Sequence, residues 1–257
     1  MLKIRIIPTL LWKSVGLVKG VGFDSWRRVG TVLPALKVYN TRDVDELALL
    51  DITASAEGRG PDHEAVADFS DECSVPLTVG GGISSLQQIV ALLRAGADKV
   101  SINTAALASP QIIEEAAHRF GAQCIVASID VRQRADGSYA VFSHAGTRDT
   151  GRDASSWARE MANRGAGEIL LTSIELDGTM QGYDLRLVEA IASSVGIPVI
   201  ASGGAGTYQH MVDVIQKGGA SAVAAASMFH FTEQTPAGAK QALQAAGIPV
   251  RRNFVAV

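Results

Sequence analysis

The sequence predicts a single (β/α)8 barrel, residues 1–257, assembled from two half-barrel repeats. Three observations carry that expectation. The length of 257 residues is the usual size of one α/β barrel, about 250 residues. Eight short apolar runs alternate with longer amphipathic segments. The chain also matches itself at a fixed offset over widely separated segments.

The runs are Ile4–Leu11, Glu46–Ile52, Pro76–Val79, Lys99–Ile102, Cys124–Ile129, Glu168–Thr172, Pro198–Ala201 and Ala222–Ala226. Each is short and apolar almost throughout, as parallel strands buried on both faces must be. Cys124 is expected to open the fifth strand as a buried residue. Helical patterns lie between the runs. Leu86, Ile89, Val90 and Leu93 fall on one face, with Ser84 or Ser85 to start the helix and Gly96 to stop it. Ser109-Pro110 opens another, carrying Ile113, Ala116, Ala117 and Phe120 and followed by Gly121. Eight β-then-α units favour a closed barrel over a doubly wound sheet, which is the alternative reading of the alternation.

The repeat is specific. Glu46–Asp51 lines up with Glu168–Ser173, and 168 − 46 is 122. Val79-Gly-Gly-Gly-Ile83 lines up with Ala201-Ser-Gly-Gly-Ala205, and 203 − 81 is again 122. Val75–Thr78 and Ile197–Ile200 keep the same spacing. Chance similarity among apolar strands does not hold one offset over such separated segments.

Composition excludes several classes. With 47% hydrophobic and 19% charged residues the chain is globular. A net charge of −3 and the lack of a basic block give no nucleic-acid partner. No apolar stretch reaches membrane-span length, so no membrane partner is expected. Lys3, Arg5 and Pro8 interrupt the start, which does not read as a signal peptide; a cytoplasmic location is expected. Cys73 and Cys124 fit neither a disulfide framework nor a zinc spacing. No His, Cys and carboxylate cluster has ligand spacing, so no metal and no cofactor is expected.

Chemistry is expected at the strand ends. Gly80-Gly81-Gly82 and Gly203-Gly204 each end a strand run. Glycine lets the backbone approach an anion and aim N–H groups at it. A second strand end follows in each half, Asn103-Thr104 and Ala226-Ser227. Tight turns alone would explain one glycine pair. Two symmetric sets point to phosphate, held by Gly81, Gly82, Asn103 and Thr104 in one half and Gly203, Gly204, Ala226 and Ser227 in the other. Two such sites across one barrel mouth imply a long, small-molecule substrate phosphorylated at each end.

Ile6-Ile7-Pro8, Leu50–Ser55, Val79–Gly82, Ala97–Ala105, Gly165–Ser173, Asp177-Gly-Thr179, Ala201–Gly206 and Phe229-His-Phe231 together resemble the cyclase subunit of imidazole glycerol phosphate synthase over essentially the whole chain. The resemblance implies a barrel that receives ammonia from a glutaminase subunit docked at its opposite end as a heterodimer. It also implies conversion of a doubly phosphorylated nucleotide intermediate to imidazole glycerol phosphate and an aminoimidazole carboxamide ribotide. In that family two aspartates at the ends of strands 1 and 5 act as general acid and base. Asp130 matches the strand 5 position. Ile6–Trp12 aligns with Ile125–Val131 at an offset of 119, which puts Leu11 where the second aspartate belongs. Leucine transfers no proton, and losing such a group costs about 10²–10⁴-fold.

Lys19 resembles the lysine that reaches substrate from the loop after strand 1. Asp51, Thr172, Asp177 and Ser202 match substrate-lining residues, although aspartate in turns also serves as a cap. Arg5, Glu46, Lys99 and Glu168 each start an apolar strand, and two of each sign can pair across the barrel floor. The resemblance makes this ring the ammonia entrance and gives Asp98 a part in coupling to the glutaminase. An apolar strand 1 end and the segment Lys37–Glu46 are closer to cyclase-like barrels encoded with surface-polysaccharide genes, associated with acetamidino groups on nucleotide sugars. A histidine-pathway cyclase and a non-catalytic scaffold that activates a glutaminase are the alternatives. Phosphosugar isomerases on the same repeat are a weaker option.

Overall fold

A computed structural model describes residues 3–14 and 16–251. Eight strands form the barrel: β1 (Arg5–Lys13), β4 (Leu47–Asp51), β5 (Leu77–Gly80), β6 (Lys99–Ile102), β7 (Ile125–Gln133), β10 (Glu168–Ser173), β11 (Val199–Ser202) and β12 (Ala222–Ala225). Each pairs in parallel with the next, β12 returns to β1, and the β7–β10 pairing completes the ring. Closure removes every sheet edge, so these strands tolerate apolar side chains on both faces.

The outward faces pack on the helices. Inside lies a separate cluster of Ile7, Ala48, Val126, Leu170, Ile200, Ala222 and Ala224, with Leu50 half-buried above it. The helices begin where short polar side chains accept a first-turn N–H: Asp62, Ser85, Asp153, Asp184, Thr207 and Thr235 all do so. In α3 (Leu86–Arg94) the buried residues are Ile89 and Leu92, with Val90 and Leu93 half-buried. The face is therefore rotated from the expected one. The helix α5 (Gln111–Phe120) buries Ile112, Ile113 and Ala116 and ends at Gly121, whose φ is 90°.

The duplication is visible in the elements. The helix α8 (Tyr208–Gln216) begins 208 − 86 = 122 residues after α3, and β11 begins 199 − 77 = 122 residues after β5. Each half also carries an antiparallel hairpin that the apolar runs did not disclose: β2 (Gly16–Val21) with β3 (Asp24–Gly30) on β1, and β8 (Tyr139–Ser143) with β9 (Arg148–Asp153) on β7.

One further expectation needs correction. Cys124 ends a one-turn 3-10 helix, Ala122–Cys124, and is half-buried; its N–H bonds Gly121 O, so the strand begins one residue later. The loop after strand 1 that carries Lys19 is itself ordered, with Lys19 in the hairpin strand β2. The hairpin turns on Gly22 and Phe23, both at positive φ (60° and 65°), the left-handed pair that matches strand twist.

Candidate active site

The strand carboxyl ends surround one cavity. Its lining includes every residue expected to bind phosphate or substrate, together with Asp130. Gly81 and Gly203 hold equivalent places: a Cβ on Gly81 would lie 2.1 Å from Asp51 O, and one on Gly203 would lie 2.5 Å from Ser173 O. The turn therefore folds back on the preceding strand end in each half, at φ values of 105° and 88° that favour glycine. Gly82 donates its N–H to Ser55 Oγ at 3.3 Å. Ser227 is 5% exposed and its Oγ has no protein partner, although it lines the cavity.

Asp130 lines the mouth, in register with Thr172 on β10 and with Phe142 on the hairpin strand β8. Asn103 Nδ2 donates to its Oδ2 at 2.7 Å and to Phe142 O at 3.3 Å. Asn103 thus turns its side chain on the carboxylate, leaving its main chain to any anion, and its Oδ1 is unpartnered. Burial raises the Asp130 pKa to about 7, helped by the negative charge of Asp177 and opposed by the Asn103 bond. A carboxyl titrating near neutrality both gives and takes protons at working pH.

The β2–β3 hairpin crosses this mouth. Lys19, 2% exposed, pairs with Asp177 Oδ2 at 2.5 Å, and Gly22 N–H bonds Asp177 O at 2.8 Å. Burial raises the Asp177 pKa and Lys19 pulls it back. Phe23 and Trp26 of the same hairpin face the cavity, which sequence reading missed. So was the clamp on Asp51: Arg59 reaches both carboxylate oxygens, at 2.6 and 3.1 Å, and the Thr53 and Ala54 N–H groups donate to Oδ1. Ser202 half-faces the cavity at the end of β11.

At the opposite end, the four strand-start charges form a closed ring. Arg5 meets Glu46 and Glu168 at 2.7 Å each; Lys99 meets them at 2.9 and 3.1 Å. Thr78 Oγ1 donates to Glu46 Oε1 at 2.7 Å. Asp98, exposed, accepts from Leu77 N–H at 2.8 Å and so anchors the start of β5. Above the ring, Thr9 Oγ1 and Ser101 Oγ are buried without partners and line the cavity. Polar residues within apolar strand runs were the available signal for both.

Among the described residues no group of three or more His, Cys, Asp and Glu is placed to hold a metal ion, and no helix is long and apolar enough to cross a membrane.

Fold and site together define a (β/α)8 barrel whose glycine-rich strand ends surround one cavity lined by the carboxylates of Asp51, Asp130 and Asp177. The family model described as histidine biosynthesis protein matches residues 5–235. The chain is 51% identical over 251 residues to the protein named imidazole glycerol phosphate synthase subunit HisF from Hyphomonas neptunium, covering 98% of this chain and 99% of that relative. The chain belongs to the histidine biosynthesis protein family.

Proposed function

We propose that this barrel is the ammonia-using synthase subunit of a glutamine amidotransferase pair, acting on a small molecule phosphorylated at both ends. The observation that carries the reading is Asp130, a carboxyl titrating near neutrality between two symmetry-related glycine turns in one cavity. Anions at both turns would suspend the substrate across the mouth, with its middle over Asp130. The carboxylate takes a proton from attacking ammonia and returns it to the departing oxygen. Asn103 holds that carboxylate, and its free Oδ1 suits an N–H or O–H of the substrate.

Delivery of ammonia from a glutaminase partner at the ring end is part of this proposal. The hydroxyl groups of Thr78, Thr9 and Ser101 supply polar stops through an otherwise apolar interior. The ring is closed as it stands, so passage requires one ion pair to part; the two pairs of Lys99, at 2.9 and 3.1 Å, are the longest of the four.

Leu11 bears on the acceptor. It takes the place of Asp130 in the other half, and the site has one proton-transfer carboxylate at the strand ends where the histidine-pathway reaction uses two. We place the chain with the divergent barrels associated with acetamidino groups on nucleotide sugars, where the ammonia passes to a different phosphorylated acceptor or to a partner. The 51% identity to a protein named as an imidazole glycerol phosphate synthase subunit supports the second reading, cyclisation in histidine biosynthesis. Supplying the purified barrel with the nucleotide intermediate and ammonium chloride separates them. Imidazole glycerol phosphate formed at a rate typical of a two-carboxylate site favours the histidine pathway; formation slower by about 10²-fold or more favours the divergent acceptor. No ammonia-dependent product from either a nucleotide or a nucleotide-sugar acceptor would leave the scaffold.

A further inference from the structure

We infer that the cavity contains an apolar subsite, centred on Leu11 and Leu50, that takes a small alkyl group on the middle of the substrate. The inference rests on the two-phosphate reading above and adds the chemistry of what lies between the phosphates.

The argument starts from register. Leu11 is paired with Leu50 on β4 and Val18 on β2, so three apolar side chains stand in a row across β4, β1 and β2. In the other half the corresponding row is Thr172, Asp130 and Phe142 across β10, β7 and β8. The duplicated halves therefore face one cavity with unlike residues at this register, a carboxyl and hydroxyl on one side and two leucines on the other, with Thr9 and Asp51 lining the cavity beside the leucines. Ile52 and Trp26 extend the apolar side at the same mouth.

A substrate held at both ends is pinned in register against these walls. Its reacting, polar atoms must meet Asp130 and Thr172, because a hydroxyl or amide desolvated against leucine without a partner is penalised. The substituent on the other flank meets Leu11 and Leu50, where Leu11 offers no hydrogen bond and fills the volume a carboxylate and its water would take. A methyl or methylene group is the chemistry that fits. One such group in an apolar pocket changes affinity by about 10-fold or more.

Two bisphosphates of matched length test this: 1,6-hexanediol bisphosphate, with an alkyl middle, and mannitol 1,6-bisphosphate, with a hydroxylated one. Calorimetric titration of the full chain should show the hexanediol compound binding at least about 10-fold tighter. Leu11→Asn should shrink or reverse that ratio, while Leu11→Met, which keeps the apolar surface, should preserve it. Thermal melts establish that both variants are folded, and Leu11→Asn is expected to remain so because its new amide faces the open cavity. Equal affinities in the parent protein, or a ratio unmoved by Leu11→Asn, overturn the subsite while leaving the phosphate turns standing. Failure of both compounds and of free inorganic phosphate to bind overturns the two-phosphate reading and the subsite together.

Discussion

Leu11 and Asp130 occupy one structural position in two copies: the first is in register with Leu50 and Val18, the second with Thr172 and Phe142. The asymmetry between leucine and aspartate at this position governs what the cavity can do. The proposed proton transfer has its carboxyl at Asp130, and the matching position in the other half is apolar.

Restoring the carboxylate is the direct consequence to check. Leu11→Asp is predicted to raise the ammonium-driven rate of imidazole glycerol phosphate formation from the nucleotide intermediate, by up to about 10²-fold. Initial rates at saturating ammonium measure it. An unchanged rate would mean the cavity has been reshaped beyond that chemistry.

The raised Asp130 pKa has a stability consequence with a definite sign. The folded protein holds the proton up to about 7, whereas an ordinary aspartate gives it up near 3.8. Its contribution is thus fully present below about pH 4 and is lost as pH rises through 7. At pH 8 the buried charge opposes folding, so Asp130→Asn should stabilise the protein there, by roughly 2 kcal/mol, and gain little at pH 4. Urea unfolding at both pH values decides the point; equal effects at the two would refute the assignment.

The ring at the barrel floor behaves differently. Glu46 is 3% exposed and serves Arg5, Lys99 and Thr78 at once. Glu46→Gln leaves two cations short of a partner and should cost about 3 kcal/mol in urea unfolding. A cost below about 1 kcal/mol would show the ring to be solvated, as surface ion pairs are.

Lys240 on α10 (Pro236–Ala245) tests a second buried network. It is 4% exposed and pairs with Asp43 at 3.0 Å and Asp45 at 2.8 Å, while Asp45 Oδ2 accepts from Ile6 N–H. The final helix is thereby tied to the starts of β1 and β4. Lys240→Met should cost about 3–5 kcal/mol, with a loss of several degrees in Tm. An unchanged melting temperature would contradict it.

Much of this was legible in the sequence, for physical reasons that also mark where legibility ends. Barrel strands are buried on both faces, so Ala222–Ala225 and Ile169–Leu171 announce themselves as apolar runs. The glycine turns were legible because a fixed offset of 122 doubles the signal. The hairpins were not: Gly22-Phe23 is a poor turn signature beside Asn-Gly, and the exposed strand β3 lacks a clean apolar alternation. The Arg59 grip on Asp51 depends on how one loop folds back on its strand, and the Asn103 contact with Asp130 on two strands meeting in space, which no local pattern encodes. Thr9 and Ser101 were absorbed into their apolar runs, although a hydroxyl inside a barrel strand is itself a signal.

The proposed function requires both glycine turns to bind oxyanions at one mouth. Crystals soaked in sodium phosphate measure this most directly. Difference density for two phosphates is predicted, one beside Gly82 and Thr104 and one beside Gly204 and Ser227, on either side of Asp130. Clear maps with neither turn occupied at saturating phosphate would contradict the account.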